Sequence, residues 1–370
     1  MRGDVPLARK NLLADPRRLV VSILGVGLAV ALMLLVEGLW QGTLSRITEY
    51  EDNVRAQLFV AERGTRTFVS DASAVPAVTV EQVRRAPGVD AASPIAARQL
   101  IVDQQGMKIP VMLVGAEIDG LGGPWELTEG RAPENDDEVV IDDGFAGAYG
   151  YAVGDAIELL GEHLRVVGLT PDSRAFGTGG MVFVSLATAA RLLGSGSPSF
   201  VLVRTEDPDG VATAIRSRTG LEVLTADRMA QGDRALYDDT LGSVIRLMLA
   251  IAFAAGTLIV ALSVYSSVVD RLREYGIVKA LGASRRRLFR VVVSQTGSLA
   301  VLGAALGLAL FVAAKAALAL WLTEYHVELP GSAIVASAGA VGAMALLAAL
   351  LPARRIGRLD PASVYGGEQP

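Results

Sequence analysis

The sequence predicts an α-helical membrane protein with four transmembrane helices and a mixed α+β extracytoplasmic domain inserted between helices 1 and 2. Three observations predict it. Four apolar runs stand out: Leu19–Trp40, Leu247–Val269, Val291–Ala314 and Ser332–Leu351. Each is long enough for a helix rising about 1.5 Å per residue to cross a hydrocarbon core of about 30 Å. Residues 41–240 separate the first run from the second and suffice to bury a core of their own. Charge is also segregated. Residues 40–240 hold 17 Lys/Arg and 30 Asp/Glu, whereas residues 1–18 carry a net +3, Asp270–Arg290 a net +5 and the tail from Ala353 a net +1. Basic residues beside apolar runs and acidic ones in the long insert are the pattern of a fixed orientation, basic side in the cytoplasm.

Residues 1–18 (MRGDVPLARKNLLADPRR) read as a basic cytoplasmic amphipathic stretch, with Leu7, Leu12 and Leu13 at the membrane interface. Residues 19–40 form transmembrane helix 1. The run exceeds a signal-peptide core and no Ala-x-Ala site follows it, which favours an uncleaved anchor. Gly25, Gly27 and Ala29 permit close helix packing.

In the domain over 41–240, Arg46–Arg55 continues the first helix and Gln57–Ala61 is a strand. Thr79-Val-Glu-Gln82 has the form of a capping box, opening a helix through Arg85 that Pro87-Gly88 stops. Alternation and β-branched residues predict strands at Gln99–Val102, Ile109–Gly115, Glu138–Ile141, Ala156–Leu160, Leu164–Leu169, Met181–Ser185, Phe200–Arg204 and Glu222–Thr225. Helices are expected at Leu186–Leu193 and Val211–Arg218. A strand–helix–strand unit at each end thus brackets a β-rich insertion around 115–180. Residues 244–269, 291–321 and 332–352 give transmembrane helices 2 to 4, joined by a basic loop at 270–290 and a short external loop at 322–331. Residues 353–370 form a cytoplasmic tail. Gly303 and Gly307, with Gly297 near the same face, offer the third span a small-residue seam.

Composition excludes several chemistries. Of 370 residues, 51% are hydrophobic, none is cysteine and two are histidine. Neither a disulfide framework nor a thiolate or histidine metal cluster is available, and no metal site is expected. A phosphate-binding P-loop needs a lysine directly after glycine, and none of Lys10, Lys108, Lys279 and Lys315 follows one. No Gly-x-Ser-x-Gly or His-Glu-x-x-His pattern occurs. His163 falls in an expected turn and reads as a surface residue. Asp136-Asp137 and Asp142-Asp143 lack the interrupted spacing of a calcium loop and read as solvated turns. The basic residues flank spans rather than form an extended face, which argues against nucleic acid. No catalytic residue is expected in this chain.

The segment RLREYGIVKALGASRRRLFR (Arg271–Arg290) carries the most information. Tyr275, Ile277, Val278 and Leu281 are expected on one side of a short helix that Gly282 ends. Two readings stand level on physical grounds. One is an amphipathic helix on membrane lipid. The other is a docking helix whose apolar residues fill a partner's groove, with Glu274 and Lys279 as oriented polar contacts.

A resemblance separates the two. REYGIVKALGASRRRLFRVVVSQ resembles the signature of the FtsX-type ABC transporter permeases, the group that includes MacB, the LolC/LolE lipoprotein-release subunits and the DevC-like exporters. LARKNLLADPRRLVVSILGVGLAV is similar to the family's entry into its first span. Gly130–Leu169 resembles its external-domain pattern of Gly-Arg-x-Pro, Glu-Val-Val-Ile, Val-Gly-Asp and Val-Val-Gly, and LPARRIGRLDPASVYGG its close after the fourth span. The pattern is nearest to stand-alone DevC-like or haem-exporter-like permeases, since the ATPase domain fused in MacB has no counterpart here.

The resemblance implies a permease subunit of the mechanotransmission type (type VII), in the cell membrane with both termini cytoplasmic. Its partners would be a separate ABC ATPase subunit, which binds ATP and Mg, and a second permease copy, identical or a close paralogue. The resemblance also leaves room for a periplasmic adaptor. The implied coupling helix spans Arg273, Glu274, Tyr275, Gly276, Ile277, Val278, Lys279, Ala280, Leu281, Gly282, Ala283 and Ser284. Movement of the external domain would drive export or extraction of a hydrophobic or amphipathic substrate. Glu37, Met33 and Met248, near outer membrane levels, are candidates for its path, with core packing the cheaper account of the methionines. The alternatives are an FtsX-like signal transducer controlling a partner such as a cell-wall hydrolase, and a membrane-anchored sensor with no ATPase.

Overall fold

The computed structural model describes residues 16–104, 106–174, 179–280, 283–321 and 326–357. In chain order the elements begin with α1 (Pro16–Ile47), α2 (Glu49–Asn53), β1 (Leu58–Ala61), α3 (Ala77–Arg84), β2 (Ala91–Gln104), β3 (Met107–Ala116), β4 (Glu129–Gly130) and β5 (Glu138–Asp142). There follow α4 (Asp143–Tyr149), β6 (Ala156–Leu159), β7 (Glu162–Thr170), β8 (Met181–Ser185), α5 (Leu186–Leu193), β9 (Phe200–Arg204), α6 (Pro208–Thr219) and β10 (Glu222–Thr225). Then come α7 (Ala226–Tyr237), a π-helical turn (Asp238–Gly242), α8 (Ser243–Asp270), α9 (Leu272–Ala280), α10 (Arg285–Trp321) and α11 (Gly331–Gly357). Among the described residues, four helical runs are long and apolar enough to cross a membrane: Pro16–Ile47, Ala226–Asp270, Arg286–Leu320 and Gly331–Leu350. The described residues divide into two compact units, one made of residues 16–41, 243–321 and 327–357 and the other built on residues 42–242.

The second unit is built on one mixed sheet in the order β10-β1-β9-β2-β3-β8-β5-β7-β4, with β6 on β7. Its first half interleaves the β1-α3-β2 and β9-α6-β10 units, every neighbouring pair antiparallel. Strands here are buried on both faces, which is why β1 (LFVA) and β9 (FVLVR) read as continuous apolar runs. Because side chains alternate along a strand, Phe59, Phe200 and Leu202 meet Tyr50, Phe68 and Met229 on one face. Leu58, Val60, Val201 and Val203 meet Val80, Val83 and Ile215 of α3 and α6 on the other. Tyr50 stacks on Phe68 with centroids 4.7 Å apart, and its hydroxyl donates to the Gly122 carbonyl at 3.0 Å. Beyond β3, a parallel pairing with β8 carries the sheet into the insertion, whose own core joins Ile141, Phe145, Ile157 and Val182.

Several elements differ from the sequence expectation. The helix expected to open at Thr79 starts at Ala77, because Pro76 fixes its entry and the Thr79 N–H is donated to the Pro76 carbonyl. β2 begins at Ala91, eight residues earlier than expected, since AASPIAAR gains a strand's partners only from β9 and β3. His163 lies within β7, paired with Glu158, and is exposed. The β6–β7 turn is Leu160-Gly161, with φ of 50° and 87°, the double positive-φ geometry of tight hairpins. Asp142 is wholly buried and caps α4 by accepting from the Phe145 N–H at 2.9 Å, so it is not in a solvated turn.

In the first unit, small residues let helices approach. A Cβ added at Gly303 would stand 2.4 Å from Val26, at Gly307 2.7 Å from Val30, and at Gly27 2.9 Å from Leu306, so α1 and α10 pack backbone to side chain. Gly25 meets Ile259 of α8 in the same way, and Gly256 meets Ala29. Gly297 has nothing within 4 Å and lies off this seam, contrary to its expected place near the same face.

Candidate functional site: the helix between the second and third apolar helices

The short helix α9 follows α8 after a single residue, Arg271, and precedes α10. The Tyr275 N–H is donated to the Arg271 carbonyl at 3.1 Å, which carries the helical pattern across the junction. Behind it, Ala283 returns its N–H to the Val278 carbonyl at 3.2 Å, and the Ser284 carbonyl accepts from Arg287 and Leu288 to open α10. Leu281 and Gly282, expected as the last apolar contact and the helix stop, lie outside the described residues.

The expected common face of Tyr275, Ile277 and Val278 is divided. Tyr275 is buried, 6% exposed, in the cluster with Val264, Val268, Leu288, Val291 and Val292, and Val278 packs against that cluster. Gly276 is buried beside them, while Ile277 is 39% exposed with Arg273 and Glu274 also exposed. Helical geometry explains the division. Positions 275 and 278 are three apart and share a side, as do 273, 274 and 277, whereas 275 and 277 are 200° apart, given about 100° per residue. Among the described side chains, the free side of α9 therefore offers one cation, one anion and one branched apolar group. Glu274 keeps an i,i+3 contact of 3.7 Å with Arg271 and is 68% exposed, which leaves it open to another partner.

Polar interlocks that sequence reading passed over bind the helices on either side of α9. Arg18 of α1 pairs with Asp270, the last residue of α8, at 2.5 Å. The Ser22 and Ser263 hydroxyls meet at 2.5 Å, and Gln295 of α10, 2% exposed, donates to Ser267 of α8 at 3.0 Å. Such hydrogen bonds fix helix register in an apolar medium that offers little other alternative. The signal was present as Ser and Gln at helical spacing inside apolar runs, but hydropathy averages them away. Among the proposed path residues, Met33 is buried against Ala252 and Met344, whereas Met248 is 45% exposed. Glu37 is half-buried and accepts from the Gln41 amide at 2.9 Å. The two methionines sit in different surroundings, one a core residue and the other on an outer face.

Residues 19–218 match the model of the MacB-like periplasmic core domain, and residues 246–361 that of the FtsX-like permease C-terminal. The chain belongs to the FtsX/MacB-like ABC transporter permeases. The permease is 28% identical over 358 residues to an uncharacterized ABC transporter permease of Mycobacterium bovis, covering 95% of this chain and 96% of the relative. It is 24% identical over 380 residues to the macrolide export ATP-binding/permease protein MacB of Hahella chejuensis, covering 94% of this chain and 56% of that protein. The crystal structure of the periplasmic region of MacB from Actinobacillus actinomycetemcomitans covers 50% of this chain and 96% of its own, at 15% identity and a TM-score of 0.36. An ABC permease works in a membrane with an ATPase, and the four apolar helical runs suit the first requirement.

Proposed function

We propose that the permease receives the conformational work of a separate ATPase subunit through α9 and passes it to residues 42–242 on the far side of the membrane. There it would drive export or extraction of a hydrophobic or amphipathic substrate. The observation that carries this reading is the division of α9. Its Tyr275–Val278 side is anchored among α8 and α10 residues, and its Arg273–Glu274–Ile277 side is free. A helix mounted in this way moves as one body with its neighbours when pushed. The free side has the make-up of a small docking patch, an apolar knob beside charges that fix register. The helices that would span the membrane hold few ionisable residues, which suits an amphipathic substrate moved outside the cytoplasm better than a polar solute moved through a pore. The working unit in this reading is two permease copies on two ATPase copies, with α9 and both termini in the cytoplasm.

The test is reconstitution with the cognate ATPase subunit. Ile277→Asp and Glu274→Arg change exposed side chains and should leave melting unchanged while weakening ATPase binding by at least about tenfold. Permease-dependent stimulation of ATP hydrolysis should fall with it. Wild-type stimulation in both variants would remove α9 as the coupling element.

A further inference from the structure

Residues 42–242 are joined to the apolar helices through two chain segments, α2 after α1 and α7 before the π-helical turn and α8. Between α2 and α7 lie two buried carboxyl groups. Glu51 is 2% exposed and Asp233 is fully buried. Asp233 accepts from the Phe68 N–H at 2.8 Å and the Val69 N–H at 3.2 Å. Among the described residues, no N–H or O–H of another residue forms a hydrogen bond to either oxygen of Glu51, and only its own backbone N–H lies near them. What Glu51 faces is the Asp233 carboxyl itself. Two ionised carboxylates can only repel and cannot hydrogen-bond, whereas one added proton turns the same contact into a charge-assisted hydrogen bond.

We propose that Glu51 and Asp233 form a one-proton site that latches α2 to α7, held closed with Glu51 protonated and opened when that proton is released to bulk water. The surrounding charges leave this task to a proton. On α2, Tyr50 and Asp52 flank Glu51. On α7, Arg234 turns to Thr48 and Asp52, at 2.6 and 2.9 Å, and Tyr237 lies near Asp233. Arg46 turns to Glu49 at 3.0 Å. Asp71, facing Asp233 from the β1–α3 loop, is held by the Arg66 and Thr67 N–H groups at 2.6 and 2.9 Å. β1 brings no ionisable group, β10 brings Glu222, and Asp238 and Asp239 follow α7 in the chain. Among the described residues, no group of three or more metal-ligating side chains exists to hold a metal ion instead. Burial pushes the Glu51 carboxyl well above its ordinary range, with the neighbouring Asp233 adding to it, and burial raises Asp233 too.

The latch goes beyond the ATPase-coupling reading and stands whether or not α9 docks. A group that binds its proton more tightly closed than open loses that stabilisation as pH rises from the ordinary carboxyl range to its own titration. Hydrogen exchange of the full-length protein in nanodiscs measures this. Protection of α2 and α7 amides, corrected for the intrinsic base-catalysed rate, should fall about tenfold per pH unit across that window. Glu51→Gln keeps a donor for Asp233 and removes the titrating proton of Glu51, so its protection should fall with a shallower slope than that of the wild type. Should that variant not fold, the wild type decides. With ¹³C-glutamate labelling, which leaves aspartate carboxyls silent, infrared spectra taken above the ordinary glutamate range should contain a protonated carboxyl band that titrates with the loss of protection. A wild type with flat protection, an unchanged slope in Glu51→Gln, or no protonated glutamate band overturns the proposal.

Discussion

Glu138 and Asp142 stand at the two ends of β5, and their surroundings push them in opposite directions. Arg131 grips Glu138 with two N–H groups at 2.5 and 2.7 Å, and the Glu134 N–H adds a third bond at 2.8 Å. These donors, Arg131 foremost, hold its pKa down to about 2. Asp142 accepts from the Ser173 hydroxyl at 2.7 Å and from the Ser173 and Phe145 N–H groups, yet complete burial outweighs them and raises its pKa to about 6. The signs follow from linkage. A depressed pKa stabilises above the ordinary carboxyl value and is lost as pH falls toward about 2. A raised one stabilises below the ordinary value and is lost as pH climbs to about 6. Glu138→Gln should therefore flatten the acid limb of the melting profile, measured as Tm against pH. Asp142→Asn keeps an acceptor at the α4 cap and should remove the decline between about 4 and about 6. If both variants keep the wild-type profile, the shifts assigned to these two groups are wrong.

At the scale of elements, the α1–α10 seam is the sharpest test, because two glycines of one helix meet opposite surroundings. Gly303→Leu must displace Val26, whereas Gly297→Leu enters open space. Overpacking should cost the first variant about 1–3 kcal/mol, seen as a lower Tm in detergent, and leave the second near wild type. Equal effects would mean that the helices do not meet along this seam. Legibility in the sequence followed local signal. β8, β9, β10 and α5 have their expected bounds because β-branched runs and turn residues mark them, and Ser185 and Gly194 cap α5. α4 and α7 went unread. α4 has only seven residues, two of them glycine, and is held by the Asp142 cap and a left-handed Gly150 at its end. An Asp…Gly pair bracketing seven residues was its one sequence signal. α7 (ADRMAQGDRALY) is polar over most of its surface, and its inward side includes Asp233, which hydropathy counts against burial. The family pattern drew attention to α9, but not to which of its sides is exposed. Local periodicity over nine residues cannot say that Tyr275 turns toward α8 and α10.

At the scale of the whole molecule, the proposal that residues 42–242 lie outside the cytoplasm and α9 inside it rests on charge. Residues 40–240 carry 30 acids against 17 bases, whereas Asp270–Arg290 carries seven bases against two acids. Translocating the basic segment would work against the positive-inside bias, while the acidic insert meets no such barrier. The absence of cysteine from the chain makes the arrangement directly readable, because one engineered thiol is the only thiol present. Asp209 lies exposed in the first turn of α6, and Arg286 lies exposed in the first turn of α10, just beyond α9. Asp209→Cys should react with a membrane-impermeant maleimide in intact cells, and Arg286→Cys only after permeabilisation. This outcome bears on function as well as topology. An ATPase fed from the cytoplasmic ATP pool can press on α9 only from the side that carries Arg286. Labelling of Arg286→Cys in intact cells would reverse the orientation and, with it, remove α9 from reach of the partner that the docking patch is proposed to meet.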